Sequence, residues 1–383
     1  MAHIRRHPNA KGRWQVRYVD PSGRERSKNF PRKSDAERFL VTIEADKLRG
    51  DWIDPRLSKI TFEDWTGRWW GTTAHLKLYT RDGYQSLLRV HVLPRFAQSS
   101  LGSIQPVDIR EWVSDLDSSG LSASRIRQAY FLLGQILRSA VESGYLTKSP
   151  CVGVKLPRMQ VPEMRFLTAE EVEALASAIH QPYGVLIYTL AYGGLRWGEA
   201  AALRRGRCEL LRSRLHVVEA LSETSEGLLF GPTKTYQRRT VVIPGFLRDL
   251  LAEHLGAKVE PHEDTLAFSS PGAEPMRRGN FRRRLWRPAL EAAGLDYIRP
   301  HDLRHTCAAL LIAENAHPKA VQAHLGHSSI SVTMDRYGHL FPSDAEALAD
   351  RLDATRTRTL TDTRRTVSPA EVVELPTQRA ENP

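Results

Sequence analysis

The chain has 383 residues, with 55 Lys and Arg against 44 Asp and Glu, a formal net charge of +11. With 41% hydrophobic and 26% charged residues it is too apolar for a disordered chain, and no apolar run approaches the ~20 residues needed to cross a bilayer. The basic excess favours a polyanionic partner, and the length suggests two or three domains of roughly 100–200 residues.

Three cysteines, Cys151, Cys208 and Cys307, lie too far apart for a metal-ligand spacing or a disulfide framework, so a reducing compartment is expected. The N-terminus MAHIRRHPNAKGRW is basic but has no apolar h-region, so it does not read as a secretory signal. The expectation is a cytoplasmic, DNA-associated protein with no membrane partner. The charge is uneven. Residues 1–39 carry eleven Lys/Arg and four Asp/Glu, and residues 277–304 carry eight Arg and three acids. The stretch 343–383 has six Arg and eight acids. Local basic patches are the better reading.

The first elements predicted are two strands and a helix. Arg13 to Val19 alternates, with Trp14, Val16 and Tyr18 on one face and Arg13, Gln15 and Arg17 on the other. A turn at Asp20–Gly23 precedes a returning strand, Arg24 to Phe30, that shows Arg24, Arg26 and Lys28 on one face. Ser34 starts a helix to about Leu48, with Glu37 in capping-box position. Basic strand faces suit a groove or a phosphate backbone, while Trp14 and Tyr18 suit a core.

Residues 61–150 read as a helical bundle. Thr61–Trp70 carries Phe62, Trp65, Trp69 and Trp70 at helical spacing, a stripe better suited to a core than to a ligand. Tyr79–Phe96 is interrupted at Pro94. Pro106–Leu116 opens on proline, and Ser122–Ser143 ends at Gly144. Arg81, Arg125 and Arg127 are candidate phosphate contacts. Lys155–Arg165 (KLPRMQVPEMR) lacks periodicity and reads as a linker, after which Thr168 opens a helix with a capping box to Glu171.

Four short stretches then stand out. In AYGGLRWGE an apolar helix ends at the Gly pair and another begins near Arg196, where free N–H groups and a fixed cation suit an anion. GPTKTYQRR followed by TVVI suggests a hairpin with Lys234 near its tip. In RPHDLRH, His301 and Arg304 share a helix face. His301 and His305 have the spacing of a helical zinc pair, but Asp302 replaces the required Glu and Arg304 would repel a cation, so no metal is expected. In HLGHSSI, Gly326 breaks a helix and Ser328 or Ser329 caps the next, which ends near Tyr337 in MDRYGH.

Each stretch is weak alone. The ordered set Arg196, Lys234, His301, Arg304, His327 and Tyr337, in the contexts GLRWGE, hairpin Lys, HDLRHT, LGHSSI and MDRYGHL, resembles the tyrosine recombinase, or phage integrase, family over about residues 60–341. The segment before it is similar to the arm-binding domain of phage and mobile-element integrases. Together with the elements above, the resemblance implies a multidomain α+β protein. Residues 1–58 form an arm-type DNA-binding domain of a small three-stranded sheet plus helix, and 60–154 a helical core-binding domain. Residues 155–165 are a linker, and 166–342 a mainly α catalytic domain with a small β-sheet. Residues 343–383 are a tail that packs partly on a neighbouring protomer and is disordered from about Thr355.

The implied activity is site-specific DNA recombination through a covalent 3′-phosphotyrosine and a Holliday junction, integrating or excising a phage or mobile element. Tyr337 is the implied nucleophile and needs activation, since a phenol has a pKa near ~10. Arg196 and Arg304 bind non-bridging oxygens and stabilise the phosphorane. Lys234 protonates the leaving 5′-hydroxyl, His301 acts as base or donor, His327 donates to phosphate, and Glu199 orients Arg196 or a histidine. Cofactors are not implied. The implied partners are double-stranded DNA at core-type and arm-type sites, three further copies in a tetramer on DNA, and a directionality factor. Two other readings are a type IB topoisomerase-like enzyme and a non-catalytic DNA-binding protein.

Overall fold

In a computed structural model the described residues are 2–8, 12–20, 23–49, 54, 57–159, 164–233, 237–341 and 345–365. Those up to Met159, with Ser222–Leu229, form one compact unit; Met164–Leu221 and the residues from Phe230 onward form a second.

The first unit opens with β1 (His3–Arg6), β2 (Trp14–Val19) and β3 (Glu25–Phe30), antiparallel in the order β1-β2-β3, followed by α1 (Lys33–Arg49). The alternation in β2 works as expected. Val16 and Tyr18 are buried with Ala36 and Ile43 of α1, and Trp14, Phe30 and Phe39 pack around them. The register corrects the reading of the basic residues. Cross-strand partners share a face, and Tyr18 opposes Arg26 while Val16 opposes Lys28. Arg26 and Lys28 therefore stand on the face that α1 covers, and Arg17 stands on the other, so the two sets form no single basic surface. Arg26 is also spoken for, with Asp20 at 3.0 Å and Asp54 at 2.6 Å. Lys28 Nζ lies 4.6 Å from the centre of the Phe39 ring. Arg17 pairs with Glu25 at 2.6 Å, while Arg13 and Arg24 flank the strands and are exposed.

The helical part holds α2 (Phe62–Thr72), α3 (Leu78–Leu87), α4 (Leu93–Phe96), α5 (Pro106–Ser118) and α6 (Ala123–Glu142). Thr61 caps α2 by accepting from the Asp64 N–H at 3.1 Å, and Ser122 caps α6. The break expected at Pro94 is instead a wide turn over Leu88–Val92 that keeps the chain helical into α4. Proline offers no N–H to the preceding turn, and widening that turn accommodates the loss. The Trp stripe is core. Phe62 and Trp65 pack with Trp112, Ile126, Leu133 and Leu137, and the Trp65 Nε1–H donates to the Ile136 carbonyl at 3.1 Å. The three candidate phosphate contacts here have partners inside the chain. The Arg81 guanidinium lies 4.9 Å from the Trp70 ring centre, Arg125 donates to Ser86 Oγ at 3.1 Å, and Arg127 donates to the Pro157 carbonyl at 3.1 Å.

The second unit begins with α7 (Ala169–Ala178), whose capping box is the one expected. Thr168 N–H donates to Glu171 at 3.0 Å, and Glu171 N–H donates back to Thr168 Oγ1 at 3.2 Å. Next along the chain come α8 (Gly184–Gly193), α9 (Trp197–Ala201), β4 (Cys208–Glu209), β5 (Arg214–Val217), then β6 (Glu219–Thr224) and β7 (Gly227–Pro232), whose segment Ser222–Leu229 belongs to the first unit, and β8 (Arg239–Val242) and α10 (Gly245–Lys258). Strands β4, β5 and β8 make an antiparallel sheet in that order, and β6 pairs with β7. The described hairpin turns between Thr224 and Gly227, and the turn expected around Lys234 falls on residues 234–236, outside the described residues.

The chain closes with α11 (Arg278–Phe281), α12 (Arg287–Ala292), α13 (Asp302–Ala313), α14 (Pro318–Leu325), α15 (Ile330–Tyr337) and α16 (Ala345–Arg365). Helix α13 packs along α8, an almost wholly apolar helix. The disorder expected from Thr355 is corrected as far as Arg365, where the backbone is helical. The threonines that suggested disorder return their hydroxyls to the helix, Thr355 to the Arg351 carbonyl at 2.8 Å and Thr359 to that of Thr355 at 3.0 Å. Residues 366–383 lie outside the described residues.

Candidate active site

Helix α8 ends in a tight reversal. Gly194 has φ 61°, and a Cβ there would lie 2.8 Å from Leu325 and 3.0 Å from Cys307. Only glycine suits both the left-handed backbone and the close approach. The reversal places Arg196 at the start of α9. Its Nη1 donates to Glu199 Oε1 at 2.8 Å, its backbone N–H to Oε2 at 2.9 Å, and its Nη2 to the Gly326 carbonyl at 3.3 Å.

Glu199 is 2% exposed and serves a second arginine. Arg239, the first residue of β8, donates Nη1 to Oε1 at 3.0 Å and Nη2 to Oε2 at 2.7 Å, a bidentate fork. Burial alone would raise the Glu199 carboxyl, but Arg239 and Arg196 pull it down to about 2. Arg304, in the first turn of α13, is 3% exposed; its Nη1 donates to the Gly194 carbonyl at 2.5 Å and its Nη2 to the Leu325 carbonyl. Burial, then the charge of Arg196, lowers the Arg304 guanidinium to about 9. Three guanidinium groups thus cluster around one carboxylate, an excess of positive charge in a partly dry site that an anion would relieve.

The histidines and the tyrosine lie beside this cluster. Tyr337 ends α15 and is 0% exposed; burial raises its pKa while Arg304 and Arg336 lower it. Its hydroxyl is 2.7 Å from His305 Nδ1. The His327 ring stacks on the Tyr337 ring at 6.2 Å and 13°, and His327 Nδ1 is 2.9 Å from Thr333 Oγ1. His301 meets the His305 ring edge-on at 5.2 Å. Burial first, then the neighbouring cations, lowers His327 to about 4; burial, then His305 and Arg304, lowers His301 to about 4. Both are neutral at pH 7 by these values. Alongside opens a cleft of about 180 Å³ lined by Arg238, Arg239, Lys319, Gln322, Gly326 and His327 among others.

Five of the six catalytic candidates, Arg196, His301, Arg304, His327 and Tyr337, are therefore brought together; Lys234 lies outside the described residues. Two participants were not read from the sequence. Arg239 sits in a run of basic residues after Lys234, where nothing local marks it as the clamp on Glu199. His305 is the second histidine of HDLRHT, and its spacing suggested only a zinc pair. Among the described residues no group of three or more His, Cys, Asp or Glu could hold a metal ion, and no helix is long and apolar enough to cross a membrane.

A mainly helical domain that gathers two arginines, histidines and a tyrosine at a helix end is a catalytic domain of the tyrosine recombinase class. Residues 165–343 match the phage integrase family, residues 3–49 the phage integrase N-terminal domain, and residues 61–116 the phage integrase N-terminal SAM-like domain. The chain belongs to the phage integrase family and is a tyrosine-type site-specific recombinase. It is 30% identical to the prophage phiRv2 integrase assigned in Mycobacterium tuberculosis H37Rv, over 86% of this chain and 89% of the relative. It is 26% identical to the integrase of Mycobacterium phage D29, over 89% and 94%. The fold is similar to that of the Tn1549 transposon integrase in complex with circular intermediate DNA (TM-score 0.67, 21% identity, 76% of this chain and 100% of that one). It is also similar to that of a lambda integrase tetramer bound to a Holliday junction (TM-score 0.56, 19% identity, 86% and 96%).

Proposed function

We propose that this integrase cleaves and rejoins double-stranded DNA at core-type sites with Tyr337 as nucleophile, and so integrates or excises a phage or mobile element. The observation that carries the assignment is Tyr337 lying in the field of Arg304, which in turn lies near the Glu199 carboxylate that Arg196 and Arg239 share. Arg196 and Arg304 would exchange their carbonyl contacts for the non-bridging oxygens of the scissile phosphate and stabilise the charge that builds on them. Glu199 and Arg239 hold Arg196 in place. Lys234 supplies the proton to the 5′-oxygen as it leaves, and His327 and His301 donate to the phosphate. The product is a 3′-phosphotyrosine, which a second 5′-hydroxyl resolves, so no external energy source is needed.

The remaining parts of the reading are assembly and recognition. Residues 1–58 bind arm-type DNA and 60–154 core-type DNA, 155–165 link them to the catalytic domain over 166–342, and 343–383 contact a neighbouring protomer in a tetramer. Arg13, Arg17 and Arg24 are the phosphate contacts best presented by the N-terminal sheet. A directionality factor would bias integration against excision.

The test uses a nicked duplex of the attachment-site DNA next to the gene. The intact chain should become covalently attached to the cleaved strand, and Tyr337→Phe should form no adduct while still binding the duplex. An adduct with Tyr337→Phe would overturn the assignment. Relaxation of supercoiled plasmid lacking the site would favour the topoisomerase reading instead.

A further inference from the structure

We propose that His305 is the base that takes the proton of Tyr337 when the DNA strand is cleaved. The inference rests on Tyr337 being the nucleophile, as argued above. His305 Nδ1 is 2.7 Å from the Tyr337 hydroxyl, within range of direct proton transfer. With the ring proton on Nε2, the phenol O–H donates to Nδ1. The other histidines are placed for different contacts. His327 lies parallel to the Tyr337 ring, and its Nδ1 is taken by Thr333 Oγ1. His301 packs against the edge of His305, one ring further away.

His305 is 5% exposed, and Tyr337 is fully buried, so bulk water does not compete for the proton. Asp302, Arg299, Arg304 and His301 face His305 from α13 and the residues before it. Arg336 and Tyr337 face it from α15, and His327 from the α14–α15 connection. Burial lowers its pKa, Asp302 opposes this, and the arginines add to it, so the ring is available as an acceptor at neutral pH.

The step balances within the chain and the DNA. The Tyr337 proton moves to Nδ1, the Oη–P bond forms, and the P–O5′ bond breaks. The departing oxygen takes its proton from Lys234. On rejoining, the incoming 5′-hydroxyl gives its proton to Lys234, a new P–O5′ bond forms as the Oη–P bond breaks, and His305 gives its proton back to the phenolate.

The test measures single-turnover cleavage of the nicked attachment-site duplex carrying a 5′-bridging sulfur, so that leaving-group protonation drops out. His305→Asn can still accept the phenol hydrogen bond but cannot take up the proton. It should cleave about 10²-fold more slowly at pH 7. Its rate should climb about tenfold per pH unit as the phenolate forms unaided, whereas the native profile levels off. A native rate, or a slower rate with the native pH profile, would overturn the proposal and leave His305 a packing residue. His305→Gln, read in the same way, replaces the Asn variant if that one fails to bind the duplex. Tyr337→Phe run alongside separates the two ideas, because an adduct there defeats the nucleophile assignment itself.

Discussion

Glu199 shows how a single buried carboxylate organises the site. It is held by Arg196 and Arg239, and Arg304 lies close enough to feel both its charge and theirs. Removing its charge leaves the guanidinium groups to repel one another in a desolvated place, and losing one partner of such a network costs roughly 3–5 kcal/mol. Glu199→Gln should therefore lower the free energy of urea unfolding by that amount and slow cleavage, with Arg196 no longer fixed. The acid response follows from the same residues. Glu199 has a folded pKa below its unfolded one, so its contribution is present above pH ~4.5 and is lost as pH falls toward about 2. His301 and His327 also have depressed values, so their contribution is present above pH ~6.5 and is lost as pH falls through about 4. The melting temperature should fall in two stages on acidification, and Glu199→Gln should flatten only the lower stage. Lys234 makes a separate prediction. Lys234→Ala should slow cleavage of an ordinary phosphodiester far more than that of a 5′-thio substrate, and equal slowing of both would remove it as the general acid.

At the scale of elements, the motif GLRWGE is a packing device as much as a chemical one. A Cβ at Gly198 would lie 2.6 Å from the Leu221 carbonyl, a backbone atom of β6 that cannot swing aside. Gly198→Ala should cost about 1–3 kcal/mol through overpacking, seen as a lower melting temperature. It should also reduce cleavage more than duplex binding, because Arg196 sits on the displaced end of α9. The helices and their caps were legible in the sequence because caps, periodicity and breakers are local: Thr61, Ser122 and the Thr168–Glu171 box all mark the starts observed. What stayed hidden depends on contacts distant in sequence. Nothing near Arg239 announces Glu199, forty residues earlier, and nothing near His305 announces the Tyr337 hydroxyl. The third strand came only with the family resemblance, which did not locate it at His3–Arg6, and the face of Arg26 and Lys28 was out of reach, since strand register is set by pairing rather than by composition. The wide turn before Pro94 keeps a helix where the proline suggested a break, because a buried row including Leu87, Leu88, Val92 and Phe96 holds both sides in one core.

Across the whole molecule the charge of +11 separates into two uses. In the second unit three arginines, Arg196, Arg239 and Arg304, gather near Glu199 as a local excess of positive charge. The N-terminal charge is spread over a sheet that has a hydrophobic cluster of its own, Val16 and Tyr18 with Ala36 and Ile43, distinct from the cluster around Phe62, Trp112 and Leu133. Because the two clusters share no residue, removing residues 1–55 should leave the helical core intact. The shortened chain should keep the melting transition of the remainder and bind core-site DNA. It should lose binding to distal arm sites, and Arg13, Arg17 and Arg24 should account for much of that loss. Each phosphate contact contributes about 0.9 to the slope of log affinity against log salt. Loss of those three should therefore reduce the slope for arm DNA by about 3 in a chain carrying Arg13→Ala, Arg17→Ala and Arg24→Ala, with the slope for core DNA unchanged. Titration of both duplexes between 50 and 200 mM salt, a range of roughly that used to resolve such slopes, measures this directly. A parallel loss on core DNA would mean that the N-terminal sheet and the helical core read one continuous site rather than two.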